Sequence, residues 1–216
     1  VIARPDVPRI KRKKPIKYEM ASGKTNIIDV PPASLPNLSN KGVPLFITES
    51  CRKADALVSQ GLCAVSINGV NGWTSKVQGG DSRPLKDWGA IVLDGREVHV
   101  VFDSDVACNP KVRKSTKKVM AYHKGRGANV WVVVLPEDDE KVGIDDFFAR
   151  GNTTEELPAI TFRTLPGAPD DRDPNDKRPE MRVSNQLTRV SDAVIKGLVA
   201  SWDGTPFTRG RTLVRV

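Results

Sequence analysis

The amino-acid sequence predicts an α/β fold in which a mostly parallel sheet of about four strands is flanked by helices. Between residues 43 and 160, short β-branched apolar runs alternate with segments of helical period, and this alternation is typical of strand–helix–strand units. Acidic side chains follow three of the apolar runs. Open parallel sheets bind ligands at the carboxyl ends of their strands, so these acidic residues are the first candidates for a functional site.

Residues 1–42 are predicted to form an extended basic segment in front of this domain. They contain six prolines, and eight of the first 24 residues are Lys or Arg, against two that are acidic. Short edge strands are expected at residues 16–18 and 26–30. A basic cluster in this segment has the composition of a phosphate-binding arm, although a solvated arm has the same composition. The cluster consists of Arg12, Lys13 and Lys14.

The predicted domain begins with a strand at residues 43–48. A helix follows at about 50–60, with its apolar residues on one face and with Gly61 as a C-terminal stop. The next strand, at 63–67, leads into residues 68–90. This stretch is long and rich in glycine, which predicts a loop.

The second half of the domain repeats the alternation of strand and helix. A strand at 98–102 precedes a helix at about 110–124, because Pro110 suits a first helical turn and apolar residues recur after it at helical spacing. A strand at 129–135 and a short helix at about 145–150 follow. The buried face of the longer helix is predicted to consist of Val112, Thr116, Val119, Met120 and His123.

Beyond the domain, residues 161–183 are rich in Pro, Asp and Arg, which predicts a linker. Residues 184–216 are predicted to form a small connector of one helix and a strand. The sequence begins without Met and stops in a strand-like run. We therefore expect it to be a fragment of a longer protein.

Composition limits the classes of partner and compartment. The formal net charge of +8 and the pI of about 9.5 favour an anionic partner. The three cysteines include no C-x-x-C pair, which argues against a zinc module and against a disulfide framework. No apolar run approaches the roughly 20 residues of a membrane span, and no signal peptide is recognisable. We therefore expect a cytoplasmic protein that does not bind membranes.

Five acidic residues are candidate ligands of a divalent cation. Asp103 and Asp105 follow the third predicted strand, and two carboxylates at that spacing repel each other and resist burial unless a cation compensates them. Oxygen ligands favour a hard ion such as Mg²⁺ or Mn²⁺. Glu49 follows the first strand, and Asp145 and Asp146 begin the last helix. Glu49 and Asp145 each have the alternative role of stabilising a helix start, Glu49 through the helix dipole and Asp145 as a cap.

Basic residues near these acids are candidate contacts for phosphate or nucleic acid. Such residues are also typical of a solvated helix face. They are Arg52, Lys53, Lys114, Lys117, Lys118 and Lys141. Trp73 and Trp88 have the chemistry to stack on bases, but burial as loop anchors is the more common role of such residues.

Three motifs resemble those of the Toprim domain, which is shared by bacterial-type primases, type IA and type II topoisomerases and certain nucleases. They are Ile47-Thr48-Glu49, Phe102-Asp103-Ser104-Asp105 and Gly143-Ile144-Asp145-Asp146. The resemblance is greatest to the Toprim-like domain of primase-helicase proteins from phages, plasmids and other mobile elements. It covers roughly residues 9–157 and implies a Rossmann-like Toprim fold.

The resemblance also implies a catalytic site. Asp103 and Asp105 would hold Mg²⁺ or Mn²⁺, and Glu49 would act as general acid/base or as a further ligand. Asp145 or Asp146 would complete the acidic group. The implied reaction is nucleotidyl or phosphoryl transfer, in the form of primer synthesis from nucleotides on single-stranded DNA. The implied partner is a helicase domain in the full-length protein, and no oligomeric state is implied.

Three alternatives to a primase stay open. A Toprim-type nuclease needs the same ion and the same acids. A phosphotransferase of the haloacid dehalogenase type would use Asp103 as a nucleophile, but it leaves Glu49 without a role. A non-catalytic DNA-binding module of a replication helicase would depend on the basic segment and the basic helix alone.

Overall fold

The architecture is that of a computed structural model. The structure describes residues 2–3, 5–11, 14–15, 19–20, 25–76, 80–138, 140–167, 207–209 and 212–214. The predictions made for the strand at 16–18, for Arg12 and Lys13, and for the helical part of the connector lie outside these residues. Lys14 lies in a short strand.

The strands are β1 (Ile2–Ala3), β2 (Ile10–Lys11), β3 (Lys14–Pro15), β4 (Glu19–Met20), β5 (Leu45–Thr48), β6 (Cys63–Ser66), β7 (Thr74–Lys76), β8 (Ser82–Pro84), β9 (Glu97–Val101), β10 (Asn129–Val133), β11 (Thr161–Phe162), β12 (Phe207–Arg209) and β13 (Thr212–Val214). The α-helices are α1 (Cys51–Ser59), α2 (Pro110–Gly125) and α3 (Ile144–Ala149). Segments of 3-10 helix lie at Pro32–Asn37, Lys86–Ala90, Ser104–Val106 and Thr154–Ile160.

Five strands form one mostly parallel sheet, flanked by helices, in the order β11-β10-β9-β5-β6. This confirms the predicted α/β class, with one strand more than expected. The additional strand, β11, pairs antiparallel with β10, with Val132 opposite Phe162. It lies within the predicted linker, and its two residues are too few to show the alternation by which a strand is recognised in a sequence. The other strands form two-stranded antiparallel ribbons, β1 with β4, β2 with β3, β7 with β8, and β12 with β13.

Contacts within the chain divide it into two compact units. The first contains Val1–Val98 and His123–Asn129, and the second contains His99–Tyr122 and Val130–Val216. No helix among the described residues is both long enough and apolar enough to cross a membrane.

The first unit is built around the parallel pair β5 and β6. Leu45 lies opposite Cys63 and Thr48 opposite Ser66, and every residue of both strands is buried. Helix α1 contributes buried residues from its apolar face, as its spacing predicted. The strand predicted at residues 26–30 is wrong, because Asp29 makes only an isolated antiparallel bridge to Ser66. The prolines that follow start a 3-10 helix and provide no N–H groups for a ladder.

The loop predicted at residues 68–90 contains structure that its composition does not reveal. Strands β7 and β8 form a hairpin of polar residues, which show no apolar alternation. Trp88 is 0% exposed, and its indole nitrogen donates a hydrogen bond to the carbonyl oxygen of Trp73 at 3.1 Å. Trp88 is therefore a buried anchor of this segment, the more common of the two roles considered for it.

The buried side chain of Arg96 binds the backbone of the segment that precedes strand β5 in the first unit. It is 0% exposed, and its guanidinium donates hydrogen bonds to the carbonyl oxygens of Val43 (2.8 Å), Leu38 (2.9 Å) and Asn37 (2.9 Å). Burial lowers the pKa of Arg96, and the neighbouring Cys63 acts in the opposite direction. Neutral carbonyls thus satisfy a buried charge, and one side chain ties three backbone positions together.

Helix α2 begins and ends within one residue of its predicted bounds. The five residues predicted for its buried face are all buried, with His123 and Thr116 at 0% exposure. The helix contains no acidic residue, and its lysines lie on the opposite, exposed face. The exposed lysines are Lys111, Lys114, Lys117, Lys118 and Lys124.

Candidate functional site

Asp103 and Asp105 lie where the buried strand β9 ends in a tight turn. Phe102, the residue between the strand and Asp103, is 1% exposed. A 3-10 turn at Ser104–Val106 begins directly after Asp103, which is itself 7% exposed. The sequence predicted carboxylates at the end of a buried strand, and the structure has them there.

Ser104, between the two aspartates, fixes the turn to a distant segment of the second unit. Its N–H donates to the carbonyl oxygen of Val142 at 2.9 Å, and its hydroxyl oxygen accepts from the N–H of Val142 at 3.0 Å. Both residues are buried. We call this pair of hydrogen bonds the Ser104–Val142 bridge. It fixes the backbone next to Lys141 beside the turn that carries the two aspartates.

The two carboxylates converge on the side chain of Lys141. Its ammonium nitrogen is 2.8 Å from Oδ2 of Asp103 and 3.3 Å from Oδ1 of Asp105. The second contact is an ion pair without hydrogen-bond geometry, because this buried Oδ1 accepts no hydrogen bond from the described residues. The Lys141 side chain is 48% exposed, whereas those of the aspartates are 11% and 24% exposed. The chain therefore supplies a cation of its own between the two predicted ligands.

Asn109 positions Asp105, and the sequence analysis missed it. Its side-chain nitrogen donates to Oδ2 of Asp105 at 3.3 Å, and its N–H donates to the Asp105 carbonyl oxygen at 2.8 Å. Its side-chain oxygen accepts from the N–H of Lys111 at 3.1 Å, so Asn109 also caps α2. Asn directly before Pro110 is a recognisable helix-start signal, from which this role was predictable.

Glu137 is a further acidic residue near Asp105. Burial raises the pKa of the nearby Cys108 thiol, and a hydrogen bond to Glu137 and the charges of Glu137 and Asp105 act in the same direction. Glu137 belongs to an acidic turn of the sequence, residues 136–140. Nothing in that composition indicates which of its acids comes close to Asp105.

Asp145 and Asp146 differ in their surroundings at the start of α3. Oδ2 of Asp146 accepts a hydrogen bond from the N–H of Gly143 at 2.9 Å, so Asp146 caps the helix and is exposed. The sequence predicted capping by Asp145, and in the structure Asp146 has this role. Asp145 is half-buried instead, and it is the better candidate of the two for an acidic site.

Glu49 lies in the first unit, just after β5, and it too is paired with a lysine. Oε1 of Glu49 is 2.9 Å from the ammonium of Lys53, and both side chains are largely buried, at 11% and 14% exposure. The carbonyl oxygen of Glu49 accepts from the N–H of Gly69 at 3.0 Å. Gly69 has a φ of +68°, and a Cβ on Gly72 would lie 2.4 Å from the backbone of Asn68. The turn beside Glu49 therefore requires glycine at two positions.

Four further predicted phosphate contacts lie on exposed surfaces of the described residues. Arg52 is exposed at the start of α1, and Lys114, Lys117 and Lys118 are exposed on α2. We refer to the last three, with Lys111, as the lysine face of α2. Lys53 and Lys141 were predicted to meet phosphate, and in this structure their ammonium groups contact Glu49 and the aspartate pair.

The donor set of the aspartate pair fits a hard divalent cation. An ammonium group already bridges the two carboxylates, and one of their buried oxygens accepts no hydrogen bond from the described residues. In the part of the chain that the structure describes, no group of three or more His, Cys, Asp or Glu side chains is arranged to hold a metal ion. The case for a cation therefore depends on Asp103 and Asp105, while the assignment of Glu49, Asp145 and Asp146 to the same ion stays a prediction.

These features define an α/β protein with a mostly parallel sheet and a lysine-bridged aspartate pair after strand β9. A family model described as "Domain of unknown function (DUF3854)" matches residues 37–155, more than half of the chain, and the chain belongs to this family. The matched residues include Glu49, Asp103, Asp105 and Lys141. No curated protein and no solved structure matches the chain.

Proposed function

We propose that this chain carries a Toprim-type catalytic domain that performs Mg²⁺-dependent nucleotidyl or phosphoryl transfer on nucleic acid. In its most specific form the proposal is primer synthesis on single-stranded DNA, in a longer protein that also contains a helicase domain. The observation that supports it best is the convergence of Asp103 and Asp105 on one cation, the Lys141 ammonium. Packing alone does not require two carboxylates to share a charge there.

The chemistry divides between the cation and the residues of the chain. A divalent cation bound here would stabilise negative charge on the oxygens of the transferring phosphoryl group. Asp103 and Asp105 supply its oxygen ligands, and Asn109 holds Asp105 in place. Glu49 is the proposed general acid/base, as its motif suggests.

The lysine face of α2 supports nucleic acid as the substrate. Lys111 and Lys118 are two helical turns apart, about 10 Å along the axis, so this face is long enough to contact more than one phosphate of a bound strand. The absence of acidic residues from α2 leaves this face uniformly positive. The same feature favours a second candidate function, a non-catalytic DNA-binding module.

An activity assay separates the proposed functions. The chain is incubated with Mg²⁺, a single-stranded template and labelled nucleotides for synthesis, and in parallel with end-labelled DNA for cleavage. We expect labelled primers from the unaltered chain, and losses of at least about a hundredfold in Asp103→Asn and Asp105→Asn. Asp138→Asn is the matched control, since Asp138 pairs with Arg150 at the surface of the same unit.

Each other outcome identifies one of the alternatives. Cleavage without synthesis, lost in the same two variants, would assign a nuclease. Full activity in both variants would remove the aspartate pair from the reaction. DNA binding without either product, unchanged by chelator and by both substitutions, would leave the binding module.

Binding to single-stranded DNA as a function of salt tests the lysine face. Replacing Lys114, Lys117 and Lys118 by Gln should reduce the slope of log affinity against log salt by about 2. The matched control replaces three exposed basic residues of the first unit, Lys41, Arg83 and Lys86, by Gln. An equal loss in both triple variants would show that overall charge, rather than this face, binds DNA.

A further inference from the structure

The position of Lys141 raises the question of what it does when a divalent cation is present. Its ammonium is within 3.3 Å of an oxygen of each aspartate. A divalent cation that uses the same oxygens would lie close to the ammonium, and two positive charges at that separation repel each other strongly. Lys141 and the divalent cation therefore compete for one place.

The two ends of Lys141 differ in their freedom to move. The Ser104–Val142 bridge holds the backbone next to Lys141 through two hydrogen bonds between buried residues. The side chain is 48% exposed and has four rotatable methylene links, so its ammonium can swing into solvent while the backbone stays in place. Departure of the ammonium would not disturb the turn that carries the aspartates.

We propose that Lys141 is a displaceable internal cation, which holds Asp103 and Asp105 together until a divalent cation replaces it and then binds a phosphate oxygen of the incoming nucleotide. This inference rests on the proposed function. It makes Lys141 a positioning residue before the cation binds and a phosphate contact afterwards. An ammonium near the cation site is well placed for that second role, because Lys binds phosphate as a point charge.

Two binding measurements on the full chain, without turnover, test the inference. The affinity for Mn²⁺ alone is measured by electron paramagnetic resonance, and the affinity for a nucleoside triphosphate is measured at saturating Mn²⁺. In Lys141→Met we expect Mn²⁺ to bind about tenfold more tightly and the triphosphate about tenfold more weakly. A purely structural role would weaken both, so the opposite signs identify displacement.

Two further variants serve as controls. Lys141→Arg keeps the charge and should bind both ligands within about threefold of the unaltered chain. Arg150→Met removes the basic partner of Asp138 in the same unit and should change neither affinity.

Failure of the inference and failure of the proposed function give different results. If Lys141→Met leaves the Mn²⁺ affinity unchanged or weaker, while Asp103→Asn abolishes Mn²⁺ binding, then Lys141 is not a competing cation and the metal site stands. If neither the unaltered chain nor Lys141→Met binds Mn²⁺, the metal site itself is wrong, and the inference is overturned with it.

Discussion

Both units of this protein neutralise a predicted catalytic carboxylate with a lysine, but they do so in different ways. Lys53 and Glu49 are four residues apart, and both side chains are buried to nearly the same degree. Lys141 comes to Asp103 from a distant part of the sequence, and nearly half of its side chain is exposed. The first pair is enclosed by its surroundings, whereas the second is open on the lysine side. We infer that only the second lysine can be exchanged for an ion from solution.

The largest expected effect tests whether the first unit is as rigid as this comparison requires. Arg96→Met should lower the free energy of unfolding by roughly 2 to 4 kcal/mol, because it removes the guanidinium that donates to the part-buried carbonyl oxygens of Asn37, Leu38 and Val43. Chemical denaturation measures the change. The control Arg83→Met alters an exposed arginine of the same unit and should stay within about 0.5 kcal/mol. A loss below about 1 kcal/mol would show that this core tolerates rearrangement.

The turn beside Glu49 provides the next test. Gly72→Ala should lower the free energy of unfolding by about 2 kcal/mol. The new Cβ would lie 2.4 Å from backbone atoms of Asn68, and these atoms cannot move aside without distorting the turn. Gly69→Ala, in the same turn, meets no atom within 4 Å and should cost only about 1 kcal/mol for its positive φ. Thermal unfolding of the two variants measures both values. The reverse order would mean that the turn opens easily around Glu49.

Removing each lysine in turn sharpens the comparison directly. Lys53→Met and Lys141→Met should each lose about 1 kcal/mol of stability in the presence of a chelator, because each takes a positive charge away from partly buried carboxylates. Added Mg²⁺ should raise the stability of Lys141→Met by more than it raises the stability of Lys53→Met. An ion that binds only the folded state stabilises that state. Melting temperatures with and without Mg²⁺ provide the measurement. Equal increments in the two variants would contradict the distinction between a closed and an open pair.

The smallest expected effect concerns the surroundings of Asp105. Partial burial and the charge of Glu137 both raise the pKa of the Cys108 thiol, so its reactive thiolate form is less populated than that of a free cysteine at the same pH. Glu137→Gln removes a negative charge, lowers that pKa and should speed alkylation by iodoacetamide about two- to threefold.

A Cys51→Ser background isolates this reaction, because Cys63 is buried. Asp138→Asn should leave the rate unchanged, since Asp138 pairs with Arg150. A rate that responds to both substitutions alike would mean that general acidity, rather than Glu137, controls the thiol.

Much of the fold was predictable because its main elements are long and periodic. The buried face of α2, from Val112 to His123, follows directly from helical spacing. Strand β11 and the β7–β8 hairpin were missed because two or three residues show no period. Pairing with another strand determines each of them. The partner of β11 is distant in sequence, and β7 and β8 are both polar.

Some features of the candidate site were likewise predictable from local sequence, and others depend on tertiary packing. The pairing of Glu49 with Lys53 is a spacing that the sequence shows, although Lys53 was assigned to phosphate instead. The approach of Lys141 to Asp103, and of Glu137 to Cys108, depends on how separate segments pack. No local pattern encodes such a meeting, whereas the position of Asp103 and Asp105 after a strand is local and was predicted.

The Ser104–Val142 bridge has a consequence for how the chain tolerates changes in length. It joins residues on either side of α2 and β10, so the lysine next to it keeps its alignment with the aspartates whatever the length of the surface loop after β10. Lengthening that loop adds only a fraction of a kcal/mol in closure entropy. Relatives with insertions between Pro136 and Glu140 should therefore retain the same acid–lysine alignment, whereas one residue inserted between Lys141 and Val142 would displace the lysine from it.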